Sequence, residues 1–501
     1  MAYMTVGAID FAVAILGAVY PGFTEVIVLP EPSFEQRTIR ALRIGKGSTA
    51  GNRKSALFLG GVHARELINP DLLIGFAVRL LQAYDANTSL TLGGKTYTAA
   101  TVRLVVEGMD IYLLPLVNPD GRAWVLNASG YRMWRKNRRP VPGSGAIGTD
   151  INRNFDFLWS STIGMTSANP FDDTYRGPSV FSESESRNVR FLLDTRPIAC
   201  MVDVHSYSED ILYPWGDDQN QSSDPNMNFQ NPAYTGLRGT ANDAYREYIS
   251  TGDEQRLIST GQRVVAAIAT ARGRTYKLMQ SFGLYGTSGT TDDYAFSRHF
   301  VNAGQRKVDG YTLETGPWTG NALTSFQPEY EEAKRIMNEI WPGLMEYCLA
   351  TLCAVEHTAQ GTRLEQHLDA LRSFRDEAMS QSEIGQRYKR LLLEHTPELL
   401  LILSGDEELR AEAAEVLERV SRVVTLVNSK AETFTPKLIS EIERLLGHVH
   451  DAAGAELRHA ITGVRADLPR WRGKTVQGGL ETAAHDQTPA RTRREKRPKK
   501  V

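Results

Sequence analysis

Two histidines and a glutamate are the first residues that could do chemistry. His63 and Glu66 stand three apart in GGVHARELINP, residues 60–70, directly after the apolar run Ala56, Leu57, Phe58, Leu59. His205 closes a second apolar run, CMVDVH. Only one other histidine, His299, occurs in the first 350 residues. Both runs read as strands, and the ends of strands in an open α/β sheet form the crevice where ligands bind. Two imidazoles and a carboxylate brought together there would suit zinc, with nitrogens at ~2.0–2.1 Å and a fourth position left open. Open coordination is what a hydrolytic metal needs, because it acidifies water. Taken alone, the H-x-x-E spacing is equally a strand-end histidine and a glutamate favoured by a helix N-terminus.

A second group is cationic. YRMWRKNRRP (131–140) and GTDINRNFDF (148–157) place Arg132, Arg135, Arg138, Arg139 and Arg153 within 22 positions. Such loops are commonly solvated surface or phosphate-binding patches. Asn152 beside Arg153 adds an amide to a planar fork, a pair able to hold a carboxylate. Trp134 and Phe155 tie both stretches to the body of the protein.

The elements that must position these groups follow from the hydrophobic pattern. EVIVLP, RTIRALRIG, SALFLGGV, DIYLLPLVNPDG, IACMVDVHS and DGYTLETG read as strands. PDLLIGFAVRLLQAY and SESRNVRFLLDTR read as helices. AIDFAVAILGAVYPG reads as an N-terminal helix, stopped at Pro21-Gly22 and packed in the core. Several strands are apolar throughout, which predicts a sheet covered on both faces. The expected fold is α/β: a mixed, mostly parallel central sheet flanked by helices over residues 1–352. From residue 353 to 472 the pattern turns to Ala, Glu, Leu and Arg at helical spacing, as in RLEQHLDALRSFRDEA, and predicts an all-α appendage. Residues 473–501 lose that periodicity and end in RTRREKRPKKV, seven cations against one Glu. They read as a basic, disordered tail.

A formal net charge of -2 gives no electrostatic reason to expect a specific nucleic-acid or membrane partner. Three cysteines, none in a C-x-x-C pair, fit a reducing compartment. With no basic region ahead of the first apolar segment, and that segment too short to span a bilayer, the expected location is cytoplasmic.

The motifs H63-x-x-E66, NPDG (118–121), WRK (134–136), NRNF (152–155), HSYS (205–208), LYGTSG (284–289) and YTLETG (311–316) come in an order that resembles the zinc carboxypeptidases of the pancreatic carboxypeptidase A type. The resemblance spans about residues 3–350 and leaves out the appendage. It implies one Zn²⁺ per chain, bound by His63, Glu66 and His205. It implies Glu314 as general base and Arg135 as oxyanion stabiliser. Asn152 and Arg153 would grip the substrate's terminal carboxylate, Tyr285 would close over it, and Arg65 would line the groove. Asp150 would orient His63, and Thr291 would form the floor of the side-chain pocket, favouring neutral or hydrophobic C-terminal residues. An acid at that floor would favour Lys or Arg, and Asp292 and Asp293 follow at once. Digestive members carry a signal and an inhibitory propeptide before this domain. Here the domain begins almost at Met1, so activation by cleavage is not expected.

The function implied is a zinc metallocarboxypeptidase acting on peptides with a free C-terminal carboxylate. The alternatives are a zinc amidohydrolase of the same fold, acting on a cell-wall peptide or modified amino acid, and an interaction protein that binds a protein partner through its helical appendage. Asn152 with Arg153 speaks against a substrate lacking that carboxylate.

Overall fold

The computed structural model describes residues 2–47, 53–127, 130–352, 354–359, 362–425 and 433–482. The chain divides into two compact units, Met1–Leu352 and Cys353–Val501.

The first unit is built on an eight-stranded sheet. In chain order its strands are β1 (Thr24–Val28), β2 (Arg40–Ile44), β3 (Ser55–Gly60), β4 (Asp110–Leu114), β5 (Ile198–His205), β6 (Asp210–Tyr213), β7 (Lys277–Gln280) and β8 (Asp309–Glu314). Their spatial order is β1-β2-β4-β3-β5-β8-β6-β7. The central pairings β4–β3, β3–β5 and β5–β8 are parallel, as is β6–β7 at the edge. The β1–β2, β2–β4 and β8–β6 pairings are antiparallel. Every residue of β3 and β4 is buried, as a strand covered on both faces requires.

Helices Ile68–Asp85 and Tyr330–Thr351 supply part of that cover, meeting Phe58 of β3 through Phe76 and Tyr347. The N-terminal helix, Val6–Val19, departs from the core reading. It buries Ile9, Val13 and Leu16 but leaves Phe11 and Val19 68% and 58% exposed, so only one face is packed. Strands β6 and β7 escaped the sequence reading. Each has four residues, too few for an alternation to register.

In the second unit the described residues are helical. The longest helices are Glu383–Gly405, Glu407–Thr425 and Pro436–Ala452. One hydrophobic cluster gathers Phe434, Leu438, Ile439, Leu468 and Trp471. The tail reading needs correction at its start. Val476–Thr482 is a helix, and Val476 and Leu480 are buried in that same cluster. Seven residues are too short a window for periodicity to show. Residues 483–501, with the basic run, lie outside the described residues. Among the described residues no helix is long and apolar enough to cross a membrane.

Candidate active site

The sheet brings the first two motifs together. His205 is the last residue of β5, and His63 follows β3 by three residues. The turn between them and the sheet passes through Gly61 at φ +62, where a Cβ would come within 3.0 Å of both Leu116 and Pro70. Asn118 of the NPDG motif braces this turn, its Nδ2 donating to the Val62 and Lys136 carbonyls.

The side chains converge tightly. His63 Nδ1 lies 2.9 Å from His205 Nδ1 and 2.8 Å from Glu66 Oε1. His205 Nδ1 is 3.1 Å from Glu66 Oε2. All three are buried, with ligand atoms within 4.8 Å of one another. A carboxylate stands behind each ring. His63 Nε2 is 3.1 Å from Asp150 Oδ1, and His205 Nε2 is 3.0 Å from Asp203 Oδ2. Asp150 as acceptor favours the Nε2–H tautomer of His63, which turns its Nδ1 toward the same point as His205 Nδ1 and a Glu66 oxygen. That donor set fits a divalent metal, and two nitrogens with one oxygen is a set used by zinc.

The charged groups of the cluster stabilise one another. Burial would raise the Glu66 carboxyl, but the two imidazoles hold it below the ordinary carboxylate range. Burial acts the same way on Asp150, where Arg135 and His63 override it and hold the group well down. For His205 burial would lower the pKa, and Asp203 with Glu66 holds it well above the usual value.

A cavity of about 460 Å³ opens on this cluster. His63, Glu66, His205, Glu314, Arg135, Asn152, Arg153, Arg65 and Tyr285 all line it. Glu314 ends β8 and pairs in register with His205 across β5. Its Oε2 is sealed from solvent and has no hydrogen-bond partner among the described residues. Burial first, then the neighbouring Glu66 and Asp210, push its carboxyl up to about 8 against the pull of His205 and Arg135. Arg135 donates to Asp150 Oδ2 from Nε at 3.0 Å and pairs with it through Nη2 at 2.9 Å. Arg153 is fixed by donation to the Met165 and Asn152 carbonyls. The LYGTSG motif clasps the segment that carries NRNF, since Gly289 N donates to Phe157 O and Phe155 N to Gly289 O. Gly289 sits at φ +72 with Arg153 O only 2.3 Å from where a Cβ would be, so no other residue fits. Tyr285 stands 40% exposed among the lining residues. Arg65 is held by the Met133 carbonyl and Asp173, and lies over the Phe326 ring.

Two of the expected positions lie outside the cavity wall. Asp150 sits behind it, where a group orienting His63 belongs. Thr291, expected at the pocket floor, is fully buried and does not line the cavity. Its Oγ1 lies 2.6 Å from Asp203 Oδ2 and 3.0 Å from Asn152 Oδ1, so it ties two site residues together from behind. The reason is helical: Thr291 begins the helix Thr291–Val301, and one step along a helix turns a side chain by about 100°. Asp292 therefore takes the wall position. Among the described residues its carboxylate has Ser281 Oγ as hydrogen-bond partner, at 3.1 Å, and no cation.

Asp203 is a residue the sequence reading missed. The signal was present in DVH, because residues two apart on a strand share a face.

The zinc carboxypeptidase family profile matches residues 13–343. Carboxypeptidase B of Helicoverpa zea is 36% identical over 223 residues, 43% of this chain and 47% of that protein. Carboxypeptidase O of Bos taurus is 30% identical over 267 residues, 52% and 59% of the two chains. The chain thus spans about half the length of the curated relatives it matches. Among solved structures, bovine thrombin-activatable fibrinolysis inhibitor in complex with a tick carboxypeptidase inhibitor superposes with a TM-score of 0.53 at 20% identity, over 70% of this chain and 97% of that one. Carboxypeptidase A of Helicoverpa armigera gives 0.51 at 22% identity, over 69% and 74%. At such identities these structures speak for the fold. Since the matched region holds all eight strands of the sheet and about two-thirds of the sequence, the chain belongs to the zinc carboxypeptidase family.

Proposed function

We propose that this protein is a zinc-dependent metallocarboxypeptidase that removes one residue from peptides ending in a free carboxylate, with a preference for C-terminal Lys or Arg. The observation that carries the reading is one cavity holding the His63, Glu66, His205 cluster, Glu314 and the Arg135, Asn152, Arg153 set together. His63, Glu66 and His205 would hold one zinc ion, which supplies Lewis acidity when bound.

The chain's own residues divide the remaining work. Arg153 and Asn152 take the terminal carboxylate, a charge-assisted interaction that fixes the last residue in register. Glu314 accepts the proton of the attacking water and hands it to the leaving amine nitrogen. Arg135, steadied by Asp150, offers its guanidinium to the negative charge that develops on the scissile carbonyl oxygen. Tyr285 covers the bound end, and Arg65 contacts the peptide on its way in. Asp203 and Asp150 keep the two imidazoles in the required tautomer. Asp292, a buried carboxylate with no cation among the described residues, supports a basic side chain in the pocket.

The test is to incubate the protein with a mixed peptide library, with and without a chelator, and read which ends shorten. Loss of single C-terminal Lys or Arg residues, abolished by the chelator, is the expected result. Unchanged C-termini would reject the activity.

A further inference from the structure

Trp318 stands on the segment between β8 and the helix Ala322–Phe326. It is 56% exposed, a large apolar area to leave in water, yet its position is fixed. Its ring lies tilted against Tyr207, with centroids 5.4 Å apart and planes 32° apart. Tyr207 in turn packs edge-on against Phe326 at 4.7 Å, and the Arg65 guanidinium lies 4.5 Å over the Phe326 ring. The backbone on either side is tied down. Gly316 O accepts from Ser208 N at 3.0 Å, and Thr319 N donates to Ser325 Oγ at 2.9 Å. Tyr207, Phe326 and Arg65 line the cavity, whereas Trp318 does not. The aromatic surface therefore continues out of the cavity and ends on Trp318.

We infer that Trp318 is a specificity-determining residue, an outer platform for an aromatic or large apolar side chain of the substrate, upstream of the bond being cut. This inference rests on the peptidase reading above. Asn152, Arg153 and Asp292 take the last residue of the substrate, so the rest of the peptide must leave past the wall they do not use. That wall is the one formed by Arg65, Tyr207 and Phe326. A peptide following it meets Trp318 beyond the mouth, where an offset or edge-on ring contact adds to the burial of apolar area. An exposed but immobilised tryptophan loses little rotamer freedom on contact, which suits it to anchor a partner side chain.

The experiment uses the full chain and peptides ending in Ala-Arg, with Phe or Gly at the second, third or fourth position before the scissile bond. An N-acylated Ala-Arg dipeptide, too short to reach Trp318, is the control. At one position the wild type is expected to favour Phe by about three- to tenfold in kcat/KM, carried by KM. Trp318→Ala should erase that preference and leave the dipeptide unaffected, while Trp318→Phe should keep most of it. A preference that survives Trp318→Ala, an absent preference in the wild type, or an equal loss on the dipeptide would overturn the inference. Failure to cleave any peptide would reject the peptidase reading instead. Calorimetric binding of the Phe and Gly peptides to wild type and Trp318→Ala would then decide the role of Trp318 without turnover.

Discussion

Glu314 stands directly opposite His205 in the parallel register of the two strands that carry them. The backbone ladder thus sets the distance between the proposed base and the proposed metal ligand, and no flexible loop intervenes. Glu314→Gln keeps the shape and removes the proton acceptor. It should retain about one zinc per chain by elemental analysis while turnover falls by ~10²–10⁴. Normal hydrolysis by this variant would exclude Glu314 as the base.

Asp203 Oδ2 stands 3.0 Å behind His205 Nε2, as Asp150 Oδ1 stands 3.1 Å behind His63 Nε2. Asp203→Asn should weaken zinc binding by ~10–100-fold, read by titration against a competing chelator. Unaltered affinity would mean that Asp203 is only part of the packing.

Asp292 should set the preference at the substrate's C-terminus. Asp292→Ser is expected to cut kcat/KM for Arg-terminated peptides by at least ~30-fold, the scale of losing one partner of a buried charge pair. Cleavage of Leu-terminated peptides should hold or rise. If the ratio of the two rates does not move, the pocket lies elsewhere.

Stability should depend on Glu185. Burial first, then Glu183, push its carboxyl from 4.5 up to about 7. A raised folded pKa means that the unfolded chain releases this proton first as pH rises. Stability is therefore lost between about pH 4.5 and 7, by roughly 3 kcal/mol. Glu185→Gln keeps an acceptor for Asn137 and cannot ionise. Its melting temperature should match the wild type near pH 4 and exceed it by several degrees at pH 8. A gap independent of pH would point to packing.

A chain ending at Leu352 should fold and keep chelator-sensitive hydrolysis, because the sheet and the cavity lie wholly within the first unit. Circular dichroism and the peptide assay together check this. An insoluble product would show that the helical unit is needed for folding.

Much of the arrangement was legible because strand ends advertise themselves. His63 and His205 each follow an apolar run, and the six longer runs became strands. What escaped did so for local reasons. Strands β6 and β7 are four residues each, and the helix Val476–Thr482 is two turns, too brief for a period to emerge. Thr291 and Asp292 differ by a single helical step, and a linear string does not say which one faces the cavity. Asp203 shares a strand face with His205 in DVH, but the strand pattern alone does not single out its carboxylate.

The Asp150 carboxylate serves two masters: one oxygen lies beside the imidazole of His63 and the other beside the guanidinium of Arg135. Replacing it would disturb ion capture and charge stabilisation at once, so the penalties of changing Asp150 and Arg135 should not add. For anyone re-engineering this scaffold, position 150 is a hinge pin to be left in place while the pocket is redesigned around it.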